Sequence, residues 1–359
     1  MKDISTFFDK TVFKSGNLLI YFFVIACLLS RFNLQFFFID ILSNLSFQIL
    51  IGGVILIFVL LFLKRFLATI ICIIFCVVYS FDILSTCNKC NAVLKDKSQN
   101  QNIIKLMIFN TSYNNPSENF ENIRNLILSE KIDILQFQEI SPQMNEKIRS
   151  LKSIFPYSTG LDKPLDLFDS LILSKYPLLN TQVERHHLIQ TSLVLNEKKI
   201  SILGIHLFPG GTQVDLNYAL QQTNYLKEAV NNIDTNLILL GDLNMTSSSK
   251  RFTNFLKETN LYTYSSFKNI TSTWPTFLPN YLGIQIDHVL FTKNFRLISK
   301  KIATQTTVTA KIGYIYLTVC GPFCISMLAR QTSVGSAIKI KMGSNWQPLS
   351  LKIFPQALE

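Results

Sequence analysis

Charge is what this sequence has least of. Only 16% of its 359 residues are Asp, Glu, Lys or Arg, against roughly 25% in ordinary soluble domains. The deficit is local: between residues 16 and 63 the only charged side chains are Arg31 and Asp40. Cysteine supplies no framework. Cys27, Cys72 and Cys76 lie in apolar runs and read as packing residues. Cys87 and Cys90 form a lone C-x-x-C without the second ligand pair that a zinc site needs, and it can close as a disulfide only on an oxidising side of a membrane. Cys320 and Cys324 belong to no recognisable motif. No glycines gather into a phosphate-cradling loop, and no internal repeat is present. These absences exclude a disulfide scaffold, a four-ligand zinc site and a glycine-loop phosphate site.

What is there first is apolar sequence. Residues 17–30 begin one run, 45–63 form a 19-residue run without a charge, and 66–81 form a third. A membrane-spanning helix needs about 20 residues, so the reading is about three transmembrane helices within residues 1–84. A signal peptide has one short apolar stretch and would not be followed by two more. Lys2, Lys10 and Lys14 precede the first run, and Lys64 and Arg65 separate the second from the third. Basic residues favour the cytoplasmic side, so three spans place everything after them on the non-cytoplasmic side, and two spans would place it on the cytoplasmic side.

Residues 85–102 are polar and read as a linker. From 91 onward the composition is that of a soluble domain, with 27 Lys and Arg against 19 Asp and Glu. Strand-like runs at 104–109, 132–138, 170–174, 199–207, 236–241 and 285–291 alternate with helical patterns. One helix starts at Asn115-Pro116-Ser117-Glu118, a capping sequence with proline in the first turn; others cover 213–232 and the stretch after Ser248. The mixture of hairpin and crossover connections predicts an α+β sandwich and not a simple Rossmann sheet.

The polar residues of interest fall where these strands stop. Asn110 ends the first and Glu139 follows the second; Asp242 and Asn244 follow the fifth within Gly241-Asp242-Leu243-Asn244. Oxygen ligands collected on one rim suit a hard cation such as Mg²⁺ or Mn²⁺. Singly each signal is weak, since Gly-Asp-x-Asn is also good turn chemistry.

Taken together, Asn110, Gln138-Glu139, Ile172-Leu173-Ser174, His206-Leu207, Gly241-Asp242-Leu243-Asn244 and Ile286-Asp287-His288 resemble, in order, the motifs of the endonuclease/exonuclease/phosphatase superfamily. The resemblance covers about half of the chain. With apolar spans before it, the architecture is similar to membrane-anchored VanJ-type phosphoesterases. The resemblance implies a four-layer α/β/β/α sandwich over residues 103–359. It implies that Glu139 is the main metal ligand with Asn110 beside it, and that Asp287 is a supporting acid near the metal. Asp242 and Asn244 would orient the attacking water and contact the phosphate; His206 would touch the phosphate or protonate the leaving oxygen. His288, one residue past Asp287, faces the other side of its strand and reads as structural. His186 and His187 read as surface or substrate-edge residues, and Trp274-Pro275 as loop packing beside the site.

The family's closing Ser-Asp-His is not matched. The best counterpart, Gly343-Ser344-Asn345-Trp346, puts Asn for Asp and Trp for His, and the apolar stretch near 313–335 that precedes it reads as an insertion: a membrane-dipping segment, a buried hairpin or a disrupted part of the chain. The implied activity is hydrolysis of a phosphate ester, with the lipid bilayer as partner and a lipid phosphate or pyrophosphate as substrate. A metal-dependent nuclease is the alternative among enzymes, disfavoured by the lack of a basic stripe. A non-catalytic membrane-binding module is the alternative outside them.

Overall fold

The computed structural model describes residues 18–86, 103–111, 120–162, 170–233, 236–263, 272–275, 278–279, 281–307, 310–320, 339–342 and 345–348. The chain divides into two units, Met1–Ser326 and Met327–Glu359.

Four apolar helices open the first unit: α1 (Leu18–Leu29), α2 (Phe37–Asn44), α3 (Ser46–Phe62) and α4 (Phe66–Thr86). Helices α1, α3 and α4 pack together through Phe23, Leu56, Leu60, Cys72, Cys76 and Tyr79. They close on Gly53, where a Cβ would lie 2.5 Å from the Phe23 ring and 2.7 Å from Cys76 Sγ. Cys27, Cys72 and Cys76 are free and buried, as expected of packing residues.

Three spans are not what forms. Among the described residues one helix, Phe66–Leu84 with a mean hydropathy of 2.5, is long and apolar enough to cross a bilayer by itself. Helices α2 and α3 pass that test only as a pair bent by 69°, and α1 has too few described residues. The bend has a local cause. Asn44 Nδ2 donates to Asp40 O, and Ser46 Oγ donates to Ser43 O, so side chains take carbonyls that a continuous helix would use. The outer faces of these helices remain apolar: 26 of the 35 exposed large hydrophobic side chains among the described residues lie between Leu18 and Leu84. Soluble monomers rarely expose so large an apolar patch; it marks contact with another protein or a membrane.

The remainder of the first unit is two sheets with helices outside them. The strands are β1 (Ile103–Asn110), β2 (Ile134–Gln138), β3 (Tyr157–Ser158), β4 (Ser170–Ser174), β5 (Leu179–Val183), β6 (Ile189–Leu195), β7 (Lys198–His206), β8 (Asn236–Asp242), β9 (Asp287–Phe291), β10 (Arg296–Thr307) and β11 (Ala310–Cys320). One sheet has the order β10-β11-β1-β2-β4-β3 and the other β5-β6-β7-β8-β9. The described helices are α5 (Phe120–Glu130), α6 (Pro142–Arg149), α7 (Gln213–Asn231) and α8 (Lys250–Thr259). The capping sequence at 115–118 lies outside the described residues.

Strand alternation divides the side chains among three cores. Met107 and Phe109 of β1, Leu135 and Phe137 of β2, and Leu171 and Leu173 of β4 pack on α5 and α6. Ile108, Ile134, Ile172, Ile202, Leu240 and Val289 meet between the sheets. Leu203, Ile205, Leu237, Leu239 and Leu290 pack on α7 and α8. This is the expected α/β/β/α layering. Central strands buried on both faces explain the near-continuous apolar runs of the sequence.

The described part of the apolar stretch near 313–335 is one arm of a hairpin with β10. Residues up to Cys320 belong to β11, which pairs antiparallel with β1 from Ile103↔Cys320 to Phe109↔Tyr314 and also with β10. It is a regular strand of the first sheet, and its apolarity is that of a strand; residues 321–335 lie outside the described residues. The second unit contains a hairpin of β12 (Lys339–Met342) and β13 (Asn345–Pro348).

Candidate active site

The rim of the site is where the inter-sheet core changes from apolar to polar along each strand. Strand β1 sends Ile104, Leu106 and Ile108 between the sheets, and Asn110 continues that alternation. Strand β2 places Ile134 there, followed by Gln136 and Gln138. On β7 the series Ile200, Ile202 ends at His206; on β8 Ile238 and Leu240 end at Asp242; on β9 Phe291 and Val289 lead back to Asp287. Register brings these ends level: Asn110 beside Gln138, His206 beside Asp242, and Asp242 opposite Asp287.

Two residues depart from the alternation through backbone geometry. Glu139 has φ 52° and Asn244 φ 47°, both in the left-handed region. Strand parity alone would turn Glu139 away. Instead Asn110 Nδ2 donates to Glu139 Oε1 at 2.7 Å, and His206 Nε2 lies 3.7 Å from the same oxygen. Asn244 N donates to Asp242 Oδ1 at 2.8 Å, and its Nδ2 donates to Leu207 O at 2.6 Å. All six residues singled out by the motifs therefore meet at one rim.

Three residues missing from the sequence-based site hold it together. Gln138 crosses between the sheets: its Nε2 donates to Ile205 O at 2.6 Å, and its Oε1 accepts from Asp242 N at 3.2 Å. Gln136 bridges the same gap to Leu240 O at 2.8 Å when its amide is oriented to suit its neighbours. Thr273 Oγ1 accepts from Ile286 N at 3.1 Å and fixes the approach to Asp287. The two glutamines had a signal: polar residues at two inter-sheet positions of an otherwise apolar strand. Thr273 had none.

Gly241 permits the close approach of β7 and β8. Its φ is +153°, and a Cβ there would collide with the carbonyl oxygen of Ile205. Such a conformation costs a side-chain-bearing residue about 1–3 kcal/mol before any clash. Gly241→Ala is expected to lower the melting temperature clearly and to perturb Asp242; an unchanged melt would contradict this account of the β7–β8 contact.

The electrostatics follow from burial. Asp287 is pushed up to about 8, first by burial and then by the neighbouring Asp242 carboxylate. Burial likewise pushes Asp242 up to about 7, opposed by the Asn244 backbone N–H and reinforced by Glu139. His206 is pushed below its ordinary value by burial, against the pull of Glu139 and Asp287.

The residues fit a hard divalent cation. The donor set is three carboxylates and two carboxamides, all oxygen ligands. Asp287 Oδ1 is buried without a hydrogen-bond partner among the described residues, and both buried aspartates retain protons that a nearby cation would displace. Among the described residues no three of His, Cys, Asp or Glu converge tightly enough to enclose an ion. That is compatible with Mg²⁺, which keeps several waters and takes one or two carboxylates plus substrate phosphates.

Other expectations resolve as follows. His288 faces away from the rim; its Nε2 is 2.7 Å from Met245 O and its ring lies 4.4 Å from Phe252. His186 stacks edge-on between Tyr218 and Tyr225 at 5.5 Å from each. Trp274 pairs with Ile284 in the segment before Asp287 and is itself 56% exposed. Asn345 and Trp346 stand in β13, opposite Met342 and Lys341.

Residues 106–303 match the Endonuclease/Exonuclease/phosphatase family. No curated protein matches the chain. Among solved structures, truncated TDP2 from Caenorhabditis elegans is 16% identical with a TM-score of 0.49, covering 61% of this chain and 98% of that one. The endonuclease/exonuclease/phosphatase from Bacteroides vulgatus is 13% identical with a TM-score of 0.48, over 61% and 98%. Sphingomyelinase C from Streptomyces griseocarneus is 15% identical with a TM-score of 0.40, over 61% and 99%.

Proposed function

The chain belongs to the endonuclease/exonuclease/phosphatase family, and on that premise we propose that it is a membrane-anchored phosphoesterase, working with Mg²⁺ or Mn²⁺ on a phosphate or pyrophosphate group carried by a lipid. Members of the family are generally hydrolases of phosphodiester bonds and typically use a divalent metal. The observation that carries the chemistry is the meeting of Asn110, Glu139, His206, Asp242, Asn244 and Asp287 at one rim.

In this reading Glu139 and Asn110 hold the cation, whose charge offsets the phosphate oxygens. Asp242 and Asp287 have proton affinities near neutrality, which suits a group that takes a proton from attacking water. Asn244 fixes the Asp242 carboxylate through its backbone N–H. His206 offers an N–H to a phosphate oxygen or a proton to the leaving oxygen.

Support for the lipid comes from the helices. Helix α3 leaves the level of the sheets and α4 returns to it, because Arg31, after α1, pairs with Asp82 near the end of α4 and reaches Ser46 at the start of α3 at 3.5 Å. Lys64 and Arg65 then sit at the far tip of the α3–α4 hairpin. With the basic tip inside, the catalytic sheets lie on the non-cytoplasmic face.

The test is turnover by the full-length protein in nanodiscs against a lipid pyrophosphate, a sphingolipid diester and plasmid DNA, with Mg²⁺ or EDTA. Lipid hydrolysis that EDTA abolishes is expected. Cleavage of DNA alone would make the protein a nuclease, and no turnover on any of them would make it a binding module. The exposed Lys152, replaced by Cys, is expected to react with an impermeant maleimide on intact cells above the parent background; reaction only after lysis would reverse the orientation.

A further inference from the structure

The only two charged residues between 16 and 63, Arg31 and Asp40, both reach the loop that follows Asn244. Asp40 pairs with Arg251 at 3.2 Å, with both side chains under 10% exposed. Through Nη2 the same guanidinium donates to the carbonyl oxygen of Asn244 at 2.9 Å. Asn44 Oδ1 accepts from Thr246 N at 2.8 Å, and Asn44 O accepts from Thr246 Oγ1 at 3.1 Å. Ser43 Oγ accepts from Lys250 N at 2.9 Å, and Arg31 Nη1 donates to Ser248 O at 3.0 Å. Helix α2 thus presents a continuous polar edge to residues 244–251, while Phe36 and Phe38 beside it are exposed.

Within that loop Met245 O lies 2.7 Å from His288 Nε2 and Ser249 N donates to Thr246 O at 3.0 Å, and the contacts from α2 add to these. Asn244 adopts a left-handed conformation, which asparagine tolerates better than most residues. Its side chain is fixed from β7 by Leu207 O, and its carbonyl is fixed from α2 by way of Arg251.

We propose that Asp40 and Asn44 are positioning residues of the active site, holding the Asp242–Asn244 loop from the apolar segment, so that this segment is a structural part of the catalytic centre and not a detachable anchor. The proposal rests on the enzymatic reading above. It extends that reading by making catalysis depend on α2 even for a substrate that never touches a membrane. Loss of the Asp40–Arg251 pair frees the Asn244 carbonyl, and small misplacement of a reacting group costs up to about 10²-fold in rate.

The experiment uses the full chain in nanodiscs, with Mn²⁺ and water-soluble bis(4-nitrophenyl) phosphate, and reads both turnover and amide exchange of residues 243–246. Asp40→Ala and Asn44→Ala are expected to quicken exchange and to lower kcat about 10–100-fold with KM little changed. The double variant Asp40→Ala/Arg251→Met removes the unpaired buried charge and is expected to regain thermal stability while kcat stays low. Recovery of kcat together with stability would reduce the pair to a purely structural role and overturn the proposal. Unchanged exchange in both single variants would overturn it too, as would quickened exchange with full turnover. A parent inactive on every substrate, with exchange quickened in the variants, leaves the loop support standing and removes the enzymatic reading instead. Glu258→Gln, on the exposed pair with Lys227, is the control and should move neither readout.

Discussion

Glu139→Gln is expected to fold as the parent does and to lose about 10³-fold or more of its metal-dependent turnover. Glutamine keeps the length and shape of the side chain, and its amide oxygen can still accept from Asn110 Nδ2. The backbone contacts of residue 139 survive, since Thr111 Oγ1 donates to its carbonyl. What disappears is the charge, and with it the ligand a hard cation requires. A bound cation is worth several kcal/mol of transition-state stabilisation, and each 1.36 kcal/mol is about tenfold in rate. Metal titration and turnover on the same preparation, with a melting curve to show the fold intact, check this. Turnover within about tenfold of the parent would remove Glu139 from the metal site.

The second large effect separates stability from activity. In EDTA the parent should lose thermal stability as pH rises from 5 to 9. Asp242 and Asp287 are held at about 7 and about 8 against an ordinary value of 3.8. The folded chain therefore keeps two protons that the unfolded chain has released. Stability from these groups is complete below about pH 3.8 and is lost as pH climbs through their folded values. Asp287→Asn removes one of the two. Its metal-free melting temperature at pH 8 should exceed the parent's and fall less steeply with pH, while turnover drops about 10²-fold or more. Mg²⁺ should flatten the parent's curve, because an ion that binds only the folded chain stabilises it by mass action. A flat metal-free curve, or a variant less stable than the parent at pH 8, would show that these carboxyls are not a buried, mutually repelling pair.

Much of this site was written in the sequence. The six rim residues are the polar ends of apolar strands, and a side chain at the end of a two-face-buried strand has few uses apart from chemistry. The period-2 alternation that puts His288 on the helix side of β9 follows from its position next to Asp287. The edges were harder to read. All five described residues of β5, Leu179–Val183, are exposed, so no apolar alternation marks it. Strand β11 was no easier to read, because a strand beside β1 and a short membrane segment have the same composition.

The sequence by itself determined the layers of the sandwich, the identity of the rim residues and the apolar character of the first 84 residues, because these depend on local periodicity and on where apolar runs stop. Only the tertiary structure decided how the residues act on one another. The protonation of Asp242, Asp287 and His206 is set by burial and by neighbours up to 148 positions away in the chain. The inter-sheet clamp of Gln138 needs both sheets in place. Asp40 in the sequence is one charge in an apolar run; 211 residues separate it from Arg251, and only folding makes it a neighbour of the loop that carries Asn244.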